Sequence, residues 1–228
     1  MGNKMIFTFW EGTKPDYIKL CMDTWKFEYV TLNYGNLHKY TELPVDKLKR
    51  FTLPQIADCV RVHVLRDNGG YWLDADTIVL DGLPTETILG DPDERTNTIG
   101  YLHTEANTDM FNEWAAYQDR IINEQYAPTL WSLMGNDFTD RYLKEHSEVD
   151  IGRIGERWAE VDMIGGNLTR MEKYVALYFV HKCHLPDFKK TDILMLHNSW
   201  TPQWYKELNE DAVLSADCTL SNILRETL

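Results

Sequence analysis

Apolar positions follow two rhythms along this chain. Met5 to Trp10 is a short aromatic and apolar run that predicts a first strand. From Pro15 to Trp25, Ile18, Cys21, Met22 and Trp25 fall at helical spacing, with a proline near the start. Phe27 to Leu32 returns to a strand, and this β-α-β opening predicts a parallel sheet with crossover helices. A second helix is predicted over Pro54 to Arg66, with Ile56, Val60, His63 and Val64 on one stripe and Asn68-Gly69-Gly70 as its stop. A short strand then ends in Asp74-Ala75-Asp76, and a second apolar strand runs on to Leu80. The Asp-, Pro- and Thr-rich segment after Asp81-Gly82 reads as a surface excursion, and Asn97 to Tyr101 as a strand. Helices are predicted at about Asp109 to Glu124 and Leu130 to His146, a strand near Val161, a helix at Glu172 to Phe179 and a strand at Asp192 to Leu196. The tail from Trp204 reads as mostly helical. The fold class is α/β, with a central, mostly parallel sheet and helical additions.

Composition narrows this picture. At 228 residues, 43% of them hydrophobic, the chain suits one large α/β domain, or a domain with a small appended lobe, with enough apolar residues for a core. Eight Trp and twelve Tyr are enough that some rings are expected at a half-wet groove. A net charge of -13 argues against nucleic acid or an anionic membrane as the main partner, because both need a basic surface. It leaves room for a nucleotide, since a divalent ion inverts the local sign. Cys21, Cys59, Cys183 and Cys218 form no Cys-x-x-Cys pair; reduced thiols in a cytoplasmic protein are the simpler reading, with pairing left open. No apolar run approaches the roughly 20 residues of a membrane span, and no signal-peptide pattern opens the chain.

The chemistry concentrates at Asp74 and Asp76. Residues i and i+2 of a strand face one side, so these carboxylates can converge on one cation. Two hard oxygens with open positions suit Mg²⁺ or Mn²⁺ bridging to a phosphate. Asp58 and Arg61 stand one turn apart on the preceding helix; they read either as a surface ion pair or as groups that accept from and donate to sugar hydroxyls. His197-Asn198-Ser199-Trp200 follows the last strand, and can complete a metal shell, meet a phosphate and wall a pocket, or cap a helix before Pro202. Phe9-Trp10 closes the first strand, placed either to stack on a base or to plug the core. His181-Lys182-Cys183-His184 fits no zinc spacing and reads as structural. Asn136-Asp137 after Gly135 either places a polar pair in a cleft or interrupts a helix.

The run from Ala57 to Leu80 resembles the signature of the sugar-binding-region glycosyltransferases with a DXD motif. That group includes capsular-polysaccharide transferases, initiating α-mannosyltransferases and, distantly, the clostridial glucosylating toxins. Asp58, Arg61, Gly69, Gly70, Leu73, Asp74 and Asp76 match it, with Trp72 as its aromatic where Tyr is usual, and the chain departs in having Asn68 before the glycines. The segments from Ile6 to Gly12 and from Leu196 to Trp200 resemble the family's first strand and closing element. The resemblance implies a GT-A fold over residues 1–228, with a nucleotide-sugar part at 1–105 and an acceptor-side, closing part at 106–228. It implies a retaining hexosyl transfer from a nucleotide sugar, UDP-linked, to an oligosaccharide or lipid-linked glycan in surface polysaccharide synthesis. Mn²⁺ or Mg²⁺ would be held by Asp76, with His197 and Asp74. Asp58, Arg61, Asp74 and Asp76 would form the catalytic set. Phe9, Trp10, Trp72, Ala75, Ser199 and Trp200 would join Asp58, Arg61 and Asp74 around the donor. A lipid-linked acceptor would bring the protein to the inner face of a membrane.

Two other classes share these residues. Asp74-Ala75-Asp76-Thr77 also spells the nucleophile motif of haloacid-dehalogenase phosphatases, which belongs on a first strand; here a β-α-β unit precedes it. A non-catalytic nucleotide-sugar-binding module would keep the same carboxylates.

Overall fold

The computed structural model describes residues 5–91, 96–124, 130–153, 164, 166–184 and 192–228. Its strands are β1 (Ile6–Phe9), β2 (Tyr29–Leu32), β3 (Gly70–Leu73), β4 (Thr77–Val79), β5 (Ile88–Asp91), β6 (Thr96–Thr104), β7 (Ile151–Arg153) and β8 (Ile193–Met195). The α-helices are α1 (Asp16–Asp23), α2 (Val45–Leu48), α3 (Leu53–Asn68), α4 (Asp109–Asn123), α5 (Asn136–Glu145), α6 (Arg170–Phe179), α7 (Gln203–Lys206), α8 (Glu210–Ser215) and α9 (Thr219–Thr227). The chain divides into two compact units.

The first unit comprises Met1–Glu11, Phe27–Asp74 and Thr85–Arg153. It holds a six-stranded sheet in the order β2-β1-β3-β6-β5-β7. β1 pairs in parallel with β2 and β3, β6 is antiparallel to β3 and β5, and β7 is parallel to β5. Only β6 therefore runs against the rest, and the expected α/β class with a mostly parallel sheet is met. Helix α3 is the element that matters most for the site. Its start is fixed by the Gln55 side chain accepting from the Thr52 N–H at 3.0 Å, and by a proline in its first turn. Its end is fixed by Gly69 at φ 65, where a Cβ would lie 2.7 Å from the Ala106 nitrogen. Between these stops Ile56, Cys59, Val60, Val62, Val64 and Leu65 are buried, so α3 is packed on several sides.

The second unit comprises Gly12–Lys26, Ala75–Pro84 and Ile154–Leu228. Its β4 and β8 pair antiparallel. Helix α1 is pinned to β4 by Trp25 Nε1, which donates to the Thr77 carbonyl at 2.8 Å, and by Thr24 Oγ1, which accepts from the Val79 N–H at 2.9 Å. Tyr17, Tyr174, Tyr178, Phe179 and Tyr205 form an aromatic core here.

Several expectations change. The segment after Gly82 is no simple excursion, because it contributes β5 between β6 and β7; three apolar-to-neutral residues, Ile88-Leu89-Gly90, suffice once neighbours pair on both sides. The helix expected from Leu130 is broken into a 3₁₀ turn, Trp131–Met134, and α5, with Gly135 between them. The strand expected near Val161 lies outside the described residues. Asp74 and Asp76 are not in a strand: β3 ends at Leu73 and β4 begins at Thr77, so strand alternation does not set the direction of either carboxylate. The four cysteines are free thiols. Among the described residues no helix is long and apolar enough to cross a membrane.

Candidate active site

The unit boundary falls between Asp74 and Ala75, and the two carboxylates of the motif keep separate company. Asp74 follows β3, and its N–H donates to the Gly100 carbonyl at 2.9 Å, one step past the β3–β6 ladder. Its Oδ1 accepts from Trp72 Nε1 at 2.9 Å and meets Arg61 Nη2 at 3.2 Å. Oδ2 has no hydrogen bond among the described residues, and the side chain is 39% exposed. One edge of the carboxylate is thus locked and the other is presented.

Arg61 is the hub of this first set. Its Nη2 also meets Asp58 Oδ1 at 3.0 Å, its Nη1 donates to the Ile99 carbonyl, and its Nε to the Ala57 carbonyl at 3.4 Å. The guanidinium lies over the Trp72 ring, 5.1 Å from its centroid. Asp58 and Arg61 are both buried, so the pair is not a solvated surface bridge. Two carboxylates share one guanidinium in a dry place. Burial pushes the Asp58 carboxyl up to about 7, with Arg61 opposing the shift and Asp74 adding to it.

The backing of Asp58 escaped the sequence reading. A Cβ on Gly135 would come 3.0 Å from Asp58 Oδ2 and 2.3 Å from Ile99 Cδ1. The preceding carbonyl, Met134, accepts from Trp114 Nε1 at 3.1 Å and from Gln118 Nε2 at 2.6 Å. Gln118 Nε2 also donates to the Asp58 carbonyl at 2.9 Å. Asn136-Asp137 therefore open α5 directly beside the residue that backs Asp58. The only trace of this in the sequence was a glycine interrupting a helical run.

Asp76 belongs to the second unit. Its carbonyl accepts from the Leu196 N–H at 3.1 Å, and its Oδ2 accepts from the Asn198 N–H at 2.7 Å. The Asn198 side chain accepts from the Tyr17 hydroxyl at 2.5 Å, and the Tyr174 hydroxyl accepts from the His197 N–H at 3.1 Å. His197 rests against the Trp200 ring at 4.2 Å, Trp200 is half-buried and Ser199 is exposed. Burial and the nearby Asp76 charge both push Tyr17, Tyr174 and Cys21 upward, so these groups stay neutral. Tyr17 and Tyr174 were not singled out in the sequence, although Tyr17 lies one helical turn before Cys21 on the same stripe.

The remaining expected residues fall as follows. Phe9 is buried against Tyr34, with ring centroids 5.8 Å apart. Trp10 is half-buried, and its Nε1 has no partner among the described residues. Trp72 is buried, so it meets Asp74 and Arg61 rather than solvent, and Ala75 is buried. His184 Nδ1 meets Glu226 at 2.5 Å and the Cys183 carbonyl accepts from Asn222 at 3.0 Å, which gives that segment the structural role expected of it.

A divalent ion can be tested against this donor set. Among the described residues no group of three or more His, Cys, Asp and Glu gathers to enclose a metal. The Asp76 carboxylate is the donor at hand, and the His197 ring belongs to the turn whose Asn198 N–H that carboxylate accepts from, beside a frame that is neutral among the described residues. Such a site fits an ion that draws most of its shell from phosphate oxygens and water, as Mg²⁺ and Mn²⁺ do. It does not fit a structural zinc centre.

The two Asp residues of the motif follow β3 and precede β4, and the first of them meets the buried Arg61 at 3.2 Å. The chain belongs to the family of capsular polysaccharide synthesis proteins, whose family model matches residues 1–150. That match bears out the resemblance drawn from the sequence. No curated protein matches the chain. Among solved structures, one titled PaToxG glycosyltransferase is similar at 19% identity over 63% of this chain and 68% of that chain, with a TM-score of 0.42.

Proposed function

We propose that this protein is a metal-dependent, retaining glycosyltransferase that moves a hexosyl unit from a nucleotide sugar, a UDP-sugar, to a glycan or lipid-linked acceptor. The observation that carries the reading is the half-presented carboxylate of Asp74, held on one edge by Arg61 and Trp72 and unoccupied by hydrogen bonds on the other. An aimed acceptor edge of this kind suits ribose and sugar hydroxyls, which donate. Arg61, buried and with four of its N–H donors engaged by Ala57, Ile99, Asp58 and Asp74, orients the two carboxylates rather than reaching for the sugar itself.

Asp76 is the residue proposed to hold Mn²⁺ or Mg²⁺, with His197 beside it. When bound, such an ion neutralises charge that builds on a departing diphosphate. Ser199, exposed in the same short turn, would donate to a phosphate oxygen. Trp10 keeps part of its ring open for a base. The phosphatase reading is disfavoured, because its motif belongs at the end of a first strand and here it follows β3, with β1, α1 and β2 before it.

The test is a screen of nucleotide sugars for hydrolysis in Mn²⁺ and in EDTA. One donor is expected to be consumed in Mn²⁺ and spared in EDTA. A panel in which wild type consumes no donor faster than Asp76→Ala would sink the reading.

A further inference from the structure

The residues beneath the His197–Trp200 turn have no part in the proposed chemistry, yet their bonds converge on Asp76. Tyr17 is fully buried on α1 and packs edge-on against Tyr205, 5.7 Å between centroids. A phenol hydroxyl buried this deeply is costly unless bonded. Its bond goes to the Asn198 side chain at 2.5 Å, and it also interacts with Thr201. Thr201 Oγ1 donates to the His197 carbonyl at 3.1 Å, and the Tyr174 hydroxyl accepts from the His197 N–H at 3.1 Å. The two phenols therefore fix the turn from below, at its side chains and its backbone. The same turn supplies the Asn198 N–H that holds Asp76 Oδ2 at 2.7 Å.

We infer that Tyr17 is a positioning residue for the Asp76 carboxylate, acting through the Asn198 side chain. This rests on Asp76 being the metal ligand. The physical logic is that of an outer shell. A carboxylate that must present one oxygen to an ion gains affinity when its other oxygen is immobilised, and loss of such a partner typically weakens metal binding roughly 10- to 100-fold. Tyr17 supplies no charge and touches no ligand. Its contribution is to stop Asn198 from turning and carrying its N–H off Asp76.

The experiment titrates Mn²⁺ alone into the full chain and follows loss of the free-ion EPR signal. Tyr17→Phe keeps the ring and its contact with Tyr205 and removes only the hydroxyl, so its unfolding midpoint should stay near wild type. Its Mn²⁺ affinity is expected to fall roughly 10-fold. Asn198→Ala, which keeps the backbone N–H, should fall by a similar factor, and the double variant no further, because both cut the same link. Wild-type affinity in Tyr17→Phe, or losses that multiply in the double variant, would overturn the inference. Asp76→Asn is the control for the reading beneath it. If Asp76→Asn loses Mn²⁺ while Tyr17→Phe does not, only the positioning role fails; if Asp76→Asn binds like wild type, the metal reading fails and takes the inference with it.

Discussion

Two carboxylates stand two residues apart, and the regions that hold them are built on different principles. Around Asp74 the partners are charged or aromatic side chains, and they come from α3 and β3: Arg61, Asp58 and Trp72. Around Asp76 the described partners are a backbone N–H and, one step behind it, neutral hydroxyls and amides from α1, β8 and α6. The first region carries its own counter-charge in a buried place. Among the described residues, the second is a frame of neutral donors. The difference teaches that one motif can divide its labour, with the first Asp part of the folded core's electrostatics and the second held by geometry. Substitutions in the first region should therefore damage stability, and those in the second should damage function while sparing the fold.

The sharpest break of this comparison is Arg61→Ala. It leaves Asp58 buried without its cation and removes the anchor of Asp74. Breaking a buried pair from one side typically costs about 3–5 kcal/mol. Denaturant unfolding should show a loss of that size, with donor hydrolysis lost as well. A stability within about 1 kcal/mol of wild type would mean the pair is solvated after all.

Asp76→Asn is the counterpart in the second region. The amide keeps the volume and can still accept from the Asn198 N–H, so the unfolding midpoint should move little. Donor hydrolysis in Mn²⁺ is expected to fall about 100- to 1,000-fold, the usual penalty for losing a preorganised electrostatic group. A large stability loss with residual turnover would reverse the assignment of the two regions.

Much of this was legible before any coordinates. The β-α-β opening, the α3 stripe with its capped start and glycine stop, and the last strand with its polar turn follow from local rules that tertiary structure did not override. The conjunction of Asp58, Arg61, Asp74 and Trp72 was legible as a pattern. What was hidden was anything made of pairing at a distance. β5 is too short to announce itself and exists because β6 and β7 flank it. The direction of Asp74 and Asp76 could not be read from strand alternation, since the chain leaves the sheet at Leu73. Tyr17 and Gln118 read as ordinary helix-face residues, and only the fold shows that their polar ends reach Asn198 and Asp58. The surface-pair reading of Asp58 and Arg61 failed for the same reason: spacing reveals neighbours on a helix and says nothing of what covers them.

A smaller perturbation tests the wall behind Asp58. Gly135→Ala brings a methyl group 3.0 Å from Asp58 Oδ2 and into Ile99, whose terminal carbon can turn aside while Asp58, held by Arg61, cannot easily do so. The expected cost is about 1–3 kcal/mol of stability, and a raised donor KM with kcat less affected, since the carboxylate is displaced rather than removed. An unchanged KM would detach this wall from the donor site. The equivalent insult in the second region, Ser199→Ala on an exposed hydroxyl, should leave stability alone.

The finest test of the first region is its pH dependence. Burial pushes the Asp58 carboxyl from its ordinary 3.8 up to about 7. Between those values the folded chain keeps a proton that the unfolded chain releases. The native state then binds more protons, so stability falls as pH rises through the window and is flat on either side. Asp58→Asn has no proton to lose. Its stability should therefore improve steadily relative to wild type from about pH 4 to about pH 7. Denaturant midpoints of the two proteins at half-unit steps across that range give the difference directly, with every other titrating group cancelling to first order. Parallel curves for wild type and Asp58→Asn would mean that Arg61 holds Asp58 ionised throughout. The first region would then be a balanced ion pair with Asp74 as the group that carries the strain.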